Sequence, residues 1–151
     1  MKINQIIFRP FRPEDVEDVL KIASSRFKEK YSSSLILQIY NYFPEGFLVA
    51  ELEGEIVGYI TAVPHYPTSL RVLMVAVKRE HEGRGIGSQL MGRIETLAYM
   101  KGYSSVKLEV RQDNIRAIGF YRSRGYRTVG MIEHYYSDGS DAFIMEKPLN
   151  F

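Results

Sequence analysis

Three glycines at alternate positions, Gly83, Gly85 and Gly87, lie between an apolar pentapeptide and an amphipathic segment. No other stretch constrains the fold as tightly. Leu73, Met74, Val75, Ala76 and Val77 read as a buried strand, a short apolar run stopped by charged residues. After Gly87, the apolar residues Leu90, Met91, Ile94, Leu97 and Ala98 recur at helical spacing on one face. Glycine tolerates positive φ and lets a ligand approach the backbone closely. A loop that opens a helix also points unpaired N–H groups outward at the positive end of the helix dipole, which suits it to a phosphate chain. The same glycines could equally serve a tight turn. The loop lacks the Gly-Lys-Ser/Thr of nucleoside triphosphatases, and its glycine spacing differs from the dinucleotide fingerprint.

At 151 residues, a single domain over 1–151 is expected, long enough to bury about two-thirds of its unfolded surface. The absence of cysteine rules out disulfides, thiolate metal sites and a cysteine nucleophile. His65, His81 and His134 are scattered without ligand spacing, so no metal site is expected. A net charge of +2 gives no argument for nucleic acid or a membrane surface as partner. No apolar run approaches the roughly 18 residues of a membrane span, and the N-terminus lacks the pattern of a secretory signal. The expected location is the cytoplasm.

The pattern predicts a first strand over Ile3–Phe11, then a helix starting at Pro13 with Val16, Val19, Leu20 and Ala23 facing the core. Phe27–Tyr31 reads as a loop, and Ser32, Ser33 or Ser34 caps a second helix to about Tyr42. Phe47–Leu52 and Glu55–Val63 form a hairpin around Glu53-Gly54. Ser69–Val77 is the central strand; Gly102 closes the long helix, and Ser105–Val110 is a further strand. Asn114 caps a fourth helix bearing Ala117, Ile118 and Tyr121, ended by Gly125. Arg127–Tyr136 and Ala142–Pro148 form a last strand pair. Met74, Met91 and Met100 read as core filler. This order makes a mixed α/β fold.

Glu82-x-x-Gly85-x-Gly87 resembles motif A of the GNAT superfamily of acetyl-CoA-dependent N-acetyltransferases, Gln/Arg-x-x-Gly-x-Gly/Ala, with an acid in the first position. That acid weakens the field felt by a pyrophosphate, and Arg79 and Arg84 are the candidates to compensate. About twenty residues on, Glu109 to Tyr121 and then Gly125-Tyr126 resemble motif B: a strand, an asparagine cap, a helix with a late tyrosine and a Gly-aromatic exit. Tyr135-Tyr136-Ser137-Asp138-Gly139-Ser140-Asp141-Ala142 is similar to a segment of the RimI-like and archaeal protein N-terminal acetyltransferases. Phe27-Lys28-Glu29-Lys30-Tyr31 resembles their Leu-Pro-Glu-Asn-Tyr loop without its proline.

The resemblance implies a mostly antiparallel sheet of about seven strands, flanked by four helices and opened as a V between central strands. It implies acetyl-CoA as co-substrate, with the backbone of Val75, Ala76 and Val77 pairing with the pantetheine arm. The amides of Glu82, Gly83, Arg84, Gly85, Ile86, Gly87 and Ser88 would hold the pyrophosphate. Asn114 would reach the pantetheine, and Tyr121 would lie near the thioester sulfur. Glu109 takes the position of the general base, and Tyr121, twelve residues later, that of the acid. Tyr31, Tyr135 and Tyr136 would contact the substrate peptide, and Glu29 would meet its α-amine or act as a second base. Solvated-acid and core-tyrosine readings remain open for Glu29, Glu109 and Tyr121. Tyr135 and Tyr136 are expected to alternate on a strand.

The expected reaction is direct transfer to the α-amino group of protein or peptide N-termini, ribosomal proteins among them by analogy. An α-amine, with a pKa near 8 against roughly 10.4 for lysine, is about a tenth free base at neutral pH and needs only a modest base. Two alternatives stay open: an enzyme of the same fold acting on polyamines or lysine side chains, and a non-catalytic acyl-CoA-binding module. The oligomeric state and the need for an auxiliary subunit also stay open.

Overall fold

The structure, a computed structural model, describes residues 5–149. The part of the expected first strand at Ile3 and Asn4 lies outside the described residues. The strands are β1 (Ile6–Pro10), β2 (Phe47–Leu52), β3 (Glu55–His65), β4 (Ser69–Val77), β5 (Ser105–Arg111), β6 (Arg127–Ile132) and β7 (Ala142–Pro148). The helices are α1 (Val16–Arg26), α2 (Ser33–Tyr42), α3 (Ile86–Met100) and α4 (Ile115–Ser123). The seven strands make one sheet in the order β1-β2-β3-β4-β5-β7-β6. β4 runs parallel to β5, whereas β1–β2, β2–β3, β5–β7 and β6–β7 are antiparallel. The mixed, mostly antiparallel sheet with four helices agrees with the sequence expectation.

The chain forms two compact units, one of residues up to Val63 with Met74–Ile94, the other of Pro64–Leu73 with residues from Glu95 onward. In the first, Glu53 and Gly54 both take positive φ, 52° and 82°, and turn β2 into β3. A 3₁₀ turn over Pro13–Asp15 precedes α1, so the α-helix begins at Val16 and not at Pro13. Asp15 holds that turn: its Oδ2 accepts the Arg12 N–H at 2.8 Å, and the Arg9 guanidinium grips both carboxylate oxygens at 2.8 and 3.0 Å. The buried face of α1 is turned slightly from the expected one. Val19, Ile22 and Ala23 are buried, while Val16 and Leu20 are only half-buried. Ser32 caps α2 by accepting the Leu35 N–H at 3.1 Å.

β4 is buried on one face only. Leu70, Val72, Met74 and Ala76 are buried, while Arg71, Leu73, Val75 and Val77 alternate with them half-exposed. The expectation of a wholly buried Leu73–Val77 run is therefore corrected: a continuous apolar sequence does not show that both faces are covered.

In the second unit, the β4–β5 ladder runs from Ser69↔Ser105 to Val72↔Leu108. Two buried hydroxyls, Ser69 Oγ and Ser105 Oγ, meet at 2.7 Å at its start. Glu95, buried near the end of α3, accepts from Arg124 Nη2 at 2.8 Å, Tyr126 O–H at 2.9 Å and Lys147 Nζ at 3.2 Å. This multiply paired carboxylate ties α3, the exit of α4 and β7 together. Gly102, at φ 87°, closes α3, with the Tyr103 N–H donating to the Ala98 carbonyl at 2.9 Å. Met100 is 77% exposed and is not core filler, because it lies off the face set by Met91, Ile94 and Ala98.

β6 ends at Ile132, not at Tyr136. His134 turns the chain at φ 53°, and its N–H donates to Asp141 Oδ1 at 2.9 Å, so Tyr135 and Tyr136 stand in a loop and not on a strand. Among the described residues no helix is long and apolar enough to cross a membrane.

Candidate active site

The glycine loop is built as the sequence suggests. Gly83 and Gly85 adopt φ of 83° and 78°, where a side chain would be strained, and a Cβ on either would meet nothing within 4 Å. α3 begins at Ile86, earlier than Gly87, and its Gln89 N–H donates to the Gly85 carbonyl at 3.0 Å. The amides of Ile86 and Gly87 therefore belong to the unsatisfied first turn of a 15-residue helix. Gly83, Arg84 and Gly85 are exposed, Glu82, Gly87 and Ser88 half-buried, and Ile86 anchors the loop in the core. An exposed backbone arc opening onto a helix dipole fits a pyrophosphate.

Glu82 is paired with a residue that sequence reasoning missed. Arg26, at the end of α1, reaches Glu82 Oε2 at 3.0 Å and Oε1 at 3.4 Å. The expected compensators are placed differently: Arg79 Nη2 donates to the Ser25 carbonyl at 3.4 Å, and Arg84 is exposed. Fifty-six residues separate Arg26 from Glu82, so no local signal could reveal the pair. Val75 and Val77 are half-exposed around buried Ala76, and all three lie beyond the Val72 end of the β4–β5 ladder.

Glu109 is on the half-exposed face of β5, between buried Leu108 and Val110 and opposite Ile144 of β7. Its Oε1 receives Arg71 Nη2 at 2.6 Å and Nε at 2.8 Å, and Tyr135 O–H approaches the same oxygen at 3.5 Å. Arg71 Nη2 also donates to the Tyr135 hydroxyl at 2.8 Å. Partial burial works against the Arg71 charge, but the hydrogen bond and charge of Glu109 outweigh it and hold the guanidinium above its ordinary value. Burial raises the Tyr135 phenol, and the Glu109 charge adds to it. Arg71 was not singled out from the sequence. The available signal was a lone arginine on an otherwise apolar strand.

Tyr136 packs edge-on to Tyr135 at 5.0 Å and lies under the Arg111 guanidinium at 4.3 Å. Arg111 in turn pairs with Asp138 at 2.9 Å, which fixes the Tyr135–Ser140 loop to β5. Glu29 and Tyr31 occupy the segment between α1 and α2, with Tyr31 edge-on to Phe27 at 6.0 Å.

Asn114 caps α4 through Oδ1, which accepts the Ala117 N–H at 3.1 Å and leaves its exposed amide NH₂ pointing away from that bond. Tyr121, 9% exposed, stands edge-on to Phe120 and Tyr126 at 5.2 and 5.8 Å. Burial pushes its phenol up to about 12, so it keeps its proton throughout the neutral range. Among the described residues, no group of three or more His, Cys, Asp and Glu is arranged to hold a metal.

Residues 16–126 match the model of the acetyltransferase (GNAT) family. The chain is similar to an uncharacterised N-acetyltransferase of Methanocaldococcus jannaschii, 36% identical over 143 residues covering 94% of this chain and 91% of that protein. It is also similar to an N-alpha-acetyltransferase of Sulfurisphaera tokodaii, 31% identical over 153 residues covering 93% and 92%. Among solved structures it resembles Ard1 from Thermoplasma volcanium, with a TM-score of 0.93 at 36% identity over 97% of this chain and 99% of that one. The glycine loop at the head of α3, the capped α4 and the sheet order thus have one common source, and the chain belongs to the GNAT family of acetyltransferases.

Proposed function

We propose that this chain, acting as one catalytic domain, transfers the acetyl group of acetyl-CoA to the α-amino group of protein or peptide N-termini. The observation that carries the reading is the Glu109 carboxylate, held through one oxygen by Arg71 and Tyr135 on the half-exposed face of β5. The likeness to a protein named N-alpha-acetyltransferase supports the choice of amine. Cytoplasm is the proposed location, where acetyl-CoA and new protein N-termini are both supplied.

Acetyl-CoA supplies a thioester, and the residues divide the remaining work. The amides of residues 82–88 hold the pyrophosphate, the backbone of Val75–Val77 aligns the pantetheine arm, and the Asn114 amide donates to it. Glu109 accepts the proton lost by the α-ammonium, directly or through water. The amine nitrogen then attacks the thioester carbonyl: a C–N bond forms, the nitrogen sheds its second proton to solvent, the C–S bond breaks, and the sulfur leaves as a thiolate. A backbone N–H of the Val75–Val77 strand steadies the oxyanion. Tyr121 donates its phenolic hydrogen to the departing sulfur. Glu29, Tyr31, Tyr135 and Tyr136 line the peptide's path.

Tyr121→Phe keeps the ring and its packing and removes only the hydroxyl. A hydrogen bond to a charged group is worth about 1.5–3 kcal/mol, so kcat should fall roughly 10- to 100-fold. With the phenol near 12, Tyr121 should add no alkaline limb to the parent pH–rate profile below about pH 11. A limb near pH 9 that vanishes in the variant would contradict this role.

Arg26→Ala should remove one positive charge from beside Glu82 at the phosphate loop. The dissociation constant for acetyl-CoA should rise about 2- to 5-fold at low salt, and the difference should shrink as salt screens it. Calorimetric titration at two salt concentrations checks this; equal affinities at low salt would count against it.

The function itself is tested with a peptide library in which the first residue varies and every lysine is blocked, read by mass spectrometry. Acetylation at α-amines supports the reading. Transfer only to polyamines in a parallel mixture would replace it with a small-amine enzyme, and acetyl-CoA binding without transfer to either would leave a binding module. Initial rates varied in both substrates should give intersecting lines, as a ternary complex requires; parallel lines would contradict direct transfer.

A further inference from the structure

The grip on Glu109 is one-sided. Arg71 Nε and Nη2 both converge on Oε1, at 2.8 and 2.6 Å, and the Tyr135 hydroxyl approaches the same atom at 3.5 Å. No described residue donates a hydrogen bond to Oε2. Arg71 is 28% exposed and Glu109 13% exposed at the side chain, so the pair is shielded more than an ordinary surface ion pair.

Register explains why this arginine is the one engaged. Arg71 stands opposite Lys107 in the parallel β4–β5 ladder, and Glu109 follows two residues later on the same face of β5. The other cations on that face have their own carboxylates: Lys107 lies 4.0 Å from Glu146 and Arg111 2.9 Å from Asp138. Opposite Glu109, β7 presents Ile144, which carries no charge. The fork of Arg71 therefore faces Glu109 without a competing partner from β5 or β7.

We propose that Arg71 is a positioning residue for acetyl transfer: it pins Glu109 by Oε1, with Tyr135 as a second anchor, and so presents Oε2 as the proton acceptor. The inference rests on the N-terminal acetyltransferase reading above. A free glutamate explores several rotamers, and a displacement of about 1 Å at a reacting group can cost roughly 100-fold in rate. Fixing one oxygen with a planar fork, itself tied to a tyrosine hydroxyl, removes that freedom. A purely structural ion pair would instead alter stability and leave the chemistry of Glu109 untouched.

The test is a double-mutant cycle of Arg71→Met and Glu109→Gln, with Arg71→Lys alongside, measuring kcat and both KM values on an α-amine peptide with blocked lysines. Thermal unfolding of each variant checks the fold. Arg71→Met should lower kcat about 10- to 100-fold with the KM for acetyl-CoA within about twofold. Arg71→Lys should recover part of the loss, because the charge remains but the fork does not. In the Glu109→Gln background, Arg71→Met should change kcat less than about twofold, because its effect acts through Glu109. The same fold-loss in both backgrounds, or no loss in the parent background, overturns the proposal. Should Arg71→Met fail to fold, the cycle run with Arg71→Lys decides by the same criterion. A parent protein that acetylates no α-amine overturns the functional reading and this inference with it. An active parent with independent effects overturns the inference alone.

Discussion

Replacing Glu109 by glutamine lowers kcat/KM for peptide acetylation by about 10²- to 10⁴-fold and leaves acetyl-CoA binding within about twofold. Glutamine is nearly isosteric and keeps a carbonyl oxygen to accept from Arg71 and Tyr135, so the β5–β7 pairing at Ile144 survives. What disappears is the capacity to take a proton. The loss corresponds to roughly 2.7–5.4 kcal/mol of transition-state stabilisation. Most of this is lost proton transfer in the transition state. The variant must also rely on amine that is already neutral, about a tenth of the total at pH 7 and most of it above pH 8, which adds up to about tenfold at pH 7. The ratio of parent to variant rates should therefore be largest at low pH and narrow as the pH rises. Steady-state rates from pH 6 to 9 check this, and equal rates at every pH would remove Glu109 from the base role.

Gly46→Ala destabilises the fold by about 3 kcal/mol or more, with no residue of the candidate site touched. Gly46 ends the 3₁₀ turn Pro44–Gly46 ahead of β2. A Cβ there would overlap the Ala62 carbonyl oxygen and lie 2.7 Å from Phe43 Cδ2. The obstacle is backbone of β3, locked in register with β2 through Phe47↔Thr61 and Leu48↔Ile60, and it has no room to move aside. At about 2–4 °C per kcal/mol for a chain of this size, Tm should fall roughly 6–12 °C. Gly119→Ala is the control. A Cβ there meets nothing within 4 Å on the exposed side of α4 and should stabilise by up to about 1 kcal/mol. A Gly46→Ala protein that melts within 1 °C or so of the parent would mean that the Phe43–Phe47 backbone is not held as described.

Features written in local chemistry were legible in the sequence. The Glu53-Gly54 turn, the Ser32 and Asn114 caps and the Gly102 stop each depend on a residue and its near neighbours, and each stands where the pattern predicts. The glycine loop was legible for the same reason. Pairings set by strand register or tertiary docking were not. Arg71 meets Glu109 across 38 positions because two parallel strands align, and Arg26 meets Glu82 because the end of α1 reaches the loop. The early end of β6 was hidden differently. The chain turns at His134, a residue that tolerates positive φ less readily than glycine, and the turn is secured by Asp141 seven positions on. Tyr135 and Tyr136 were expected to alternate on a strand and stand instead in the loop after β6. Met100 shows the limit of composition: a helix-terminal methionine is core only if its face is covered, and this one is not.

The most direct measurement uses two versions of one peptide with isotopically labelled acetyl-CoA and intact-mass detection. One version has a free α-amine and blocked lysines; the other has a blocked N-terminus and free lysines. The expected result is one labelled acetyl group on the first peptide, at a rate far above that of the second. Label on the second peptide alone, or on neither, would contradict it.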